Sequence, residues 1–411
     1  MATIGPVGES ERITEVDVLR GIALFGVLTM NFVAFAGPGV GLTEAQAAAL
    51  PTAAVDQWAY WGVRWLIGDK ANTVFATLFG LGFYIQMTRG AGKSGFEARY
   101  RRRLGWLLVF GVANVLLLWV WDILHLYALA GFLLLLMRRW STRALAAFGL
   151  IAALYSDKLH EVLVQAPLGL ANSDAYFTDA GIIDRQAMML SGNYPASISY
   201  WADFTWTDWV ASTAILSWIV YALGRFALGA AIGRSGLFED VGRFVPLLRR
   251  IAWISLPAGL LVGALVRLMY TGAFGDDEVV KSIGRALRSP AALILAAGYC
   301  AAILVALQKR WGRQMFGIFA PVGRIALTNY LIQGLLYSAV LYGPPLGLGL
   351  VGKIGSFSVL MMCIAFFAAQ TAFSHWWLAR YRFGPMEWLW RTLTYGERPG
   401  MRRQKVVTAT A

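Results

Sequence analysis

Apolar stretches of 18 or more residues recur from one end of this 411-residue chain to the other. Each is long enough to cross a hydrocarbon core of about 30 Å as a helix, and in lipid the backbone must satisfy its own polar groups. Charged residues form only 14% of the sequence, whereas a soluble domain carries about 25%. The sequence therefore predicts an all-α, polytopic membrane protein, and it excludes a soluble enzyme, a nucleic-acid-binding module and a disordered chain.

The apolar stretches predict about ten transmembrane helices and one interfacial helix. Residues 56–67 are too short and too polar to span a bilayer, so we predict that they form a helix at the membrane surface. The ten predicted spans are 18–36, 70–88, 104–121, 123–137, 144–165, 209–232, 251–270, 290–308, 316–342 and 354–379.

The distribution of basic residues predicts the orientation. The net charge is +13, and in membrane proteins Lys and Arg concentrate in cytoplasmic loops. With the N-terminus inside, the inner loops and tails hold 24 Lys and Arg residues and the outer segments hold eight. We therefore predict that both termini are cytoplasmic, and the charge gives no reason to expect nucleic acid as a partner. Acids before the first span, such as Glu15, argue against a cleaved signal peptide.

A single membrane domain is the simplest organisation. Residues 1–17 are predicted to be a cytoplasmic N-terminal segment, 18–380 the transmembrane helical domain, and 381–411 an amphipathic and basic cytoplasmic tail. The outer loop 166–208 is rich in aromatic residues and carries five aspartates: Asp174, Asp179, Asp184, Asp203 and Asp208. Such a loop suits a sugar-facing surface or lid, and it equally suits an interfacial segment with anchoring aromatics.

Polar side chains inside a span are costly in lipid, so each is a candidate functional residue. In the first span, Arg20 follows Asp17 by three residues and Asn31 follows Arg20 by eleven, which places all three on one helix face. Lys70 begins the second span near the outer surface. The stripe in the first span is either a ligand pathway or a snorkelling arginine beside a packing asparagine, and Lys70 also has snorkelling as its alternative.

The third and fourth predicted spans form a tight hairpin with Asp122 and His125 at its tip. At this spacing Asp122 can orient the imidazole of His125, and an imidazole held by a carboxylate is a typical general base. The alternative is a solvated histidine at a turn.

The ninth span is the most polar, with Arg324, Asn329 and Gln333 in one helix. These side chains either contact a ligand or hydrogen-bond to neighbouring helices, and the second explanation fits Arg324 less well. The basic cluster from Arg99 to Arg103 suits lipid headgroups or the phosphates of a cytosolic cofactor, and it also serves as a topology signal.

Metal binding and redox chemistry receive no support from the sequence. Cys300 and Cys363 fall inside apolar stretches and are expected to be buried thiols. His160 and Glu161 lack the second histidine that a zinc protease motif requires. We therefore expect no metal.

Five sequence blocks together carry a resemblance to a known family. They are DVLRGIALFG (17–26), KANTVFATLFGLG (70–82), the hairpin WDILHLYALAG (121–131), GRIALTNYLIQ (323–333) and GPMEWLWR (384–391). In this order they resemble the YeiB family of bacterial inner-membrane proteins, which have a domain of unknown function. The first spans are also, more remotely, similar to the membrane acyltransferase superfamily that includes the lysosomal heparan-glucosaminide acetyltransferase.

The resemblance implies a multi-pass protein of the bacterial plasma membrane. It also implies transfer of an acyl group from cytosolic acyl-CoA, such as acetyl-CoA, to an envelope glycan or lipid on the far side. Asp122 and His125 would then supply the base. The candidate residues for donor and acceptor binding are Arg20, Asn31, Lys70, Arg324, Asn329 and Gln333.

One position departs from the family pattern. The family has a histidine eight residues before the hairpin aspartate, and this chain has Asn114 there. This difference favours a non-catalytic structural or regulatory membrane subunit, which is one alternative to an enzyme. A transporter for a small polar solute is another, because the same polar stripes could line a transport path. Membrane lipids are expected partners, and small-residue spacing such as Gly229 to Gly233 fits packing within a protomer or in a homo-oligomer.

Overall fold

The structure is a computed structural model that describes residues 12–90, 95–171, 175–275 and 277–403. Within these ranges the chain forms helices and no β-strand, which confirms the all-α class. Asp174 and the outer parts of the terminal segments, 1–11 and 404–411, lie outside the described residues.

The α-helices are named here in chain order. They are α1 (Thr14–Phe35), α2 (Glu44–Ala49), α3 (Ala53–Leu66), α4 (Lys70–Gly90), α5 (Phe96–Leu117), α6 (Leu124–Leu136), α7 (Thr142–His160), α8 (Ala166–Leu168), α9 (Asp179–Leu190), α10 (Tyr194–Phe204), α11 (Ala214–Gly233), α12 (Val245–Tyr270), α13 (Glu278–Leu307), α14 (Arg310–Phe316), α15 (Ala320–Arg324), α16 (Ala326–Leu341), α17 (Ser356–Arg380) and α18 (Pro385–Tyr395). Turns of π-helix follow α7 at Glu161–Gln165 and α10 at Thr205–Ala211.

The length and apolar composition of its helices identify the chain as a membrane protein. In the described part of the chain, five helices are long and apolar enough to cross a bilayer: α1, α11, α12, α13 and α17. Each of the ten predicted spans coincides with a helix or a pair of helices, and the predicted interfacial helix is α3. The number of ten transmembrane passes stays a prediction, because the remaining helices are shorter or more polar.

The ninth predicted span, 316–342, is not one continuous helix. The segments Arg310–Arg324 and Ala326–Leu341 are bent by 82° and together pass the same test of length and composition. The break lies at Ile325, whose φ of −115° and ψ of 44° are not helical. Since α16 starts again directly after this residue, its first backbone N–H groups need partners from elsewhere.

Glycines allow the central helices to touch backbone to backbone. A Cβ atom added at Gly323 would lie 1.9 Å from the Asp17 carbonyl oxygen, and one added at Gly21 would lie 2.2 Å from that of Phe319. The same closeness joins α4 to α11, where a Cβ at Gly80 would lie 2.0 Å from the Phe226 carbonyl oxygen. The first contact brings Arg20 of α1 to the end of α15, which carries Arg324.

Replacing Gly80 by Ala is expected to destabilise the protein by about 1–3 kcal/mol, because α4 and α11 must separate to admit the methyl group. Thermal unfolding of the detergent-purified protein, followed by size-exclusion chromatography, measures the loss. The matched control is Gly105→Ala, since a Cβ at Gly105 meets no atom within 4 Å. A thermal midpoint for Gly80→Ala equal to that of Gly105→Ala would contradict this packing.

The segment after α8, predicted as an outer loop, packs on the hairpin between α5 and α6. Within it, α9, α10 and the following π-helical turn are ordered by contacts such as the hydrogen bond from Arg185 Nη1 to the Tyr176 carbonyl oxygen, 2.9 Å long. Trp209 stacks on the His125 ring with centroids 5.4 Å apart. The segment therefore covers the hairpin like a lid.

Candidate functional site

A cavity of about 760 Å³ opens where α1 begins and α4 ends, and we call this end of the helix bundle the basic face. Its walls come from α1, α4, α5, α6, α16 and α18, with a contribution from the end of α15. Ligand sites in proteins usually have volumes of about 300–1,000 Å³. The cavity is thus large enough for a sizeable organic ligand.

The mouth of the cavity carries an excess of positive charge. Two acids, Asp17 and Glu387, line it together with six arginines: Arg12, Arg20, Arg89, Arg103, Arg324 and Arg391. Arginine presents a planar set of N–H donors that matches phosphate and carboxylate oxygens. The composition of the mouth therefore suits a ligand with several negative charges.

Both acids at the mouth are already engaged by the protein. Asp17 Oδ1 accepts a hydrogen bond from Arg20 Nη1 at 3.1 Å, and Asp17 Oδ2 lies 3.9 Å from Arg12 Nη1. Glu387 accepts hydrogen bonds from the backbone N–H groups of Leu327 at 2.7 Å and Thr328 at 3.1 Å. Glu387 thus caps the N-terminus of α16, directly after the break at Ile325.

Arg391, at the mouth, is buried beside other arginines. Burial, and then the positive charges of Arg103 and Arg12, lower the pKa of Arg391 to about 10. The Arg103 guanidinium lies over the Trp390 ring, 3.6 Å from its centroid. Because the positive charges of the arginines repel one another, a bound anion would stabilise the mouth.

The helix α18 forms one wall of the cavity. The Trp390 indole N–H donates to the Arg103 carbonyl oxygen at 2.9 Å, and Glu387 joins the same helix to α16. The block 384–391, predicted as an amphipathic tail segment, thereby forms part of the cavity wall. The amphipathic pattern predicts this helix but not its docking site on α5, which is 287 residues away in the chain.

The inner end of the cavity is apolar and aromatic. Along α4, the lining runs from Arg89 to Phe75, a distance of about 21 Å at 1.5 Å per helical residue. The residues at this inner end include Phe75, Phe79, Leu107, Leu124, Tyr127 and Tyr330. The cavity is therefore amphipathic, with a basic mouth and an apolar interior.

Asp122 and His125 lie beside this inner end. The predicted pair exists: Asp122 Oδ2 lies 3.1 Å from His125 Nδ1. The same oxygen accepts the backbone N–H of Leu124 at 2.7 Å and of His125 at 3.1 Å, so Asp122 also caps α6. Both residues are buried. Leu124, between them in the chain, lines the cavity.

Asn114 contacts the same aspartate. Its Nδ2 donates to Asp122 Oδ1 at 2.8 Å, while His125 faces Oδ2. Gly111 permits this arrangement, because a Cβ at that position would lie 2.2 Å from the His125 backbone nitrogen. The Asp122 carboxylate therefore lies beside the His125 imidazole, even though position 114, where the family has histidine, is asparagine.

Tyr330 connects the cavity with the hairpin. It lines the inner end, and its hydroxyl accepts the backbone N–H of Ile123 at 3.2 Å. Tyr330 lies one turn into α16, so the break at Ile325 sets its position. Neither Tyr330 nor Tyr127 was among the candidates from the sequence, because tyrosines in membrane helices carry no distinctive pattern.

Of the six residues predicted to bind donor or acceptor, Arg20 and Arg324 line the cavity. Asn329 and Gln333 lie away from its wall. Asn329 Nδ2 donates to Ser374 Oγ at 3.1 Å, and Gln333 Nε2 donates to Gln370 Oε1, also at 3.1 Å. These bonds join α16 to α17.

The other two also lie off the cavity wall. Lys70 is buried at the opposite end of α4, where its Nζ donates to the Arg64 carbonyl oxygen at 3.4 Å. Asn31 is buried in α1 beside Tyr337. Of the basic cluster, Arg103 alone lines the cavity. Across the described residues, no group of three or more His, Cys, Asp or Glu side chains is placed to hold a metal ion.

Comparison with known proteins gives similarity along nearly the whole chain. The chain is 31% identical over 417 residues to the uncharacterized protein YxaH of Bacillus subtilis, which covers 96% of this chain and 97% of the relative. It is 31% identical over 396 residues to the uncharacterized protein YeiB of Escherichia coli, covering 93% of this chain and 96% of the relative.

A family described as a protein of unknown function (DUF418) matches residues 232–397. This region contains Arg324, Tyr330, Glu387 and Arg391 of the cavity. No protein of known structure is significantly similar to the chain. On its full-length similarity and the matching family region, the chain belongs to the YeiB family and carries its DUF418 region.

Proposed function

We propose that this protein is an acyltransferase of the bacterial inner membrane. It binds cytosolic acyl-CoA in the cavity and passes the acyl group to a hydroxyl of an envelope glycan or lipid on the far side. The observation that carries the proposal is the shape and charge of the cavity. Its mouth carries six arginines, and its apolar inner end adjoins the Asp122–His125 pair.

Acyl-CoA has the chemistry that this cavity would recognise. Its phosphates are anionic and its thioester end is much less polar, so the two ends match the mouth and the interior. Arginine binds phosphate oxygens through parallel N–H···O bonds, and burial strengthens these interactions. The cytosolic side follows from the predicted orientation, since Arg20, Arg103 and Arg391 lie at the basic face.

The transfer step would use His125 as general base. With Nδ1 facing Asp122, the other ring nitrogen accepts the proton of the acceptor hydroxyl, whose oxygen attacks the thioester carbonyl carbon. The new C–O bond forms as the C–S bond breaks, and the proton passes on to the leaving thiolate. Leu124, which lies between Asp122 and His125 in the chain, lines the cavity, and Tyr330 of the cavity wall bonds to the backbone of Ile123 in the same hairpin. Trp209 covers the ring of His125, and we place the acceptor on that side.

Replacing Arg20 or Arg324 by Ala is expected to weaken acetyl-CoA binding about tenfold or more, because each variant lacks one charge-assisted hydrogen bond to a phosphate. Equilibrium binding to the purified protein in nanodiscs measures the effect, which should shrink at high salt. The matched control is Arg249→Ala, which removes the same charge from an exposed position outside the cavity.

The absence of acetyl-CoA binding would distinguish the proposed acyltransferase from a transporter. If the folded protein shows no saturable binding at millimolar acetyl-CoA, the acyltransferase proposal is wrong. The broken helix at Ile325, which borders the cavity, would then favour a transporter, since broken helices form the binding sites of many transporters. Solute counterflow in proteoliposomes without CoA would test that function.

A further inference from the structure

On the side of α4 and α11, the inner end of the cavity is bounded by four packed aromatic rings, which we call the aromatic floor: Phe75, Phe79, Tyr127 and Phe226. The rings of Phe79 and Phe226 are stacked with centroids 4.5 Å apart. Tyr127 meets Phe226 edge-on at 5.0 Å and Phe79 edge-on at 5.5 Å. Phe75, Phe79 and Tyr127 line the cavity, and Phe226 lies behind them, fully buried.

The aromatic floor lies where the backbones of α4 and α11 are in direct contact. Phe226 is on α11, and its carbonyl oxygen lies where a Cβ of Gly80 would be, so α4 and α11 are already in contact. One turn further along α11, a Cβ at Gly229 would lie 1.9 Å from the Thr77 carbonyl oxygen. Because protein interiors are close-packed, rings fixed in this way leave no space for an additional carbon chain.

The aromatic floor lies at the end of the cavity opposite the mouth, where the apolar end of a bound ligand would be. The arginines hold the anionic end of the ligand at a fixed depth, so the opposite end reaches toward Phe75 and Phe79. We propose that the aromatic floor sets the maximum length of the acyl group, with Phe79 and Phe226 as the specificity-determining residues. This inference rests on the proposed function, because it assumes that the ligand is an acyl-CoA.

The dependence of affinity on chain length distinguishes a closed cavity from an open one. In an open apolar cavity, each added methylene raises affinity about fourfold. Against a fixed floor the affinity reaches a maximum at a short chain and then falls, since longer chains cannot enter without displacing packed rings. The wild-type protein is expected to follow the second pattern.

The test measures binding of CoA and of acetyl-, butyryl-, hexanoyl- and octanoyl-CoA to the full-length protein in nanodiscs. In the wild type, affinity is expected to fall at least tenfold between the best short chain and octanoyl-CoA. Phe79→Ala should move the maximum to a longer chain. Phe79→Leu, which removes less of the side chain, should also shift the affinity maximum to a longer chain, and it allows the test to be made if Phe79→Ala does not fold.

The control is Phe83→Ala, which removes a buried ring one turn along α4 that does not line the cavity. It should keep the wild-type chain-length profile. A wild-type affinity that still rises at octanoyl-CoA would overturn the inference alone, as would an unchanged profile in folded Phe79→Ala and Phe79→Leu. Absence of binding even by CoA would overturn the proposed function, and the inference with it.

Discussion

Replacing His125 by Ala is expected to lower acyl transfer about 100-fold or more while leaving acetyl-CoA binding unchanged. General bases contribute about 10²- to 10⁴-fold to rate, and His125 is the histidine whose ring nitrogen lies 3.1 Å from Asp122. Transfer of a radiolabelled acetyl group from acetyl-CoA to the lipid and glycan fractions of membrane vesicles measures the rate. Binding is preserved because His125 does not line the cavity.

Two further variants separate catalysis from structure. His375→Ala is the matched control, since His375 is on α17 and bonds to the Ile318 carbonyl oxygen, away from the hairpin. Asn114→His in the His125→Ala background should restore part of the rate, because Asn114 contacts the other oxygen of the same carboxylate at 2.8 Å. Full transfer activity in His125→Ala would remove the base from the proposed mechanism.

The Asp122–His125 pair was predictable because its geometry is local. Three residues separate the partners in the sequence, and the same short segment both starts α6 and orients the ring. That Arg20 lies in the wall of the candidate site was also predictable, since an arginine inside an apolar span is a candidate functional residue. Features that depend on one helix or one turn can thus be read from the sequence.

The rest of the site depends on contacts between distant parts of the chain. Glu387 and Arg391 belong to a tail helix that looks merely amphipathic, and only its docking on α5 and α16 makes it a cavity wall. For Asn329 and Gln333, the sequence predicted candidate ligand-binding residues that lie away from the cavity wall. Their spacing suits a ligand path and helix packing equally, and only the partners on α17 reveal their hydrogen bonds. The break at Ile325 has no proline or glycine at that residue to mark it.

Replacing Glu387 by Ala is expected to destabilise the protein by about 3 kcal/mol or more, because hydrogen bonds to a charged group contribute about 1.5–3 kcal/mol each. Glu387 accepts three of them: from the Leu327 N–H at 2.7 Å, the Thr328 N–H at 3.1 Å and the Thr328 hydroxyl at 2.6 Å. Without them the first N–H groups of α16 have lost their cap inside the protein. The thermal midpoint in detergent measures the loss.

Glu387→Gln separates the structural role of this side chain from its charge. The amide oxygen can still accept the two backbone N–H groups, so this variant should lose much less stability than Glu387→Ala. Although Glu387→Gln is expected to lower stability slightly, it is expected to raise the affinity for acetyl-CoA. Removing a negative charge from a mouth with six arginines leaves more positive potential for an anion, so acetyl-CoA should bind more tightly than to the wild type. Weaker binding by folded Glu387→Gln would show that the carboxylate itself contacts the ligand, and that the cavity is not built for an anion.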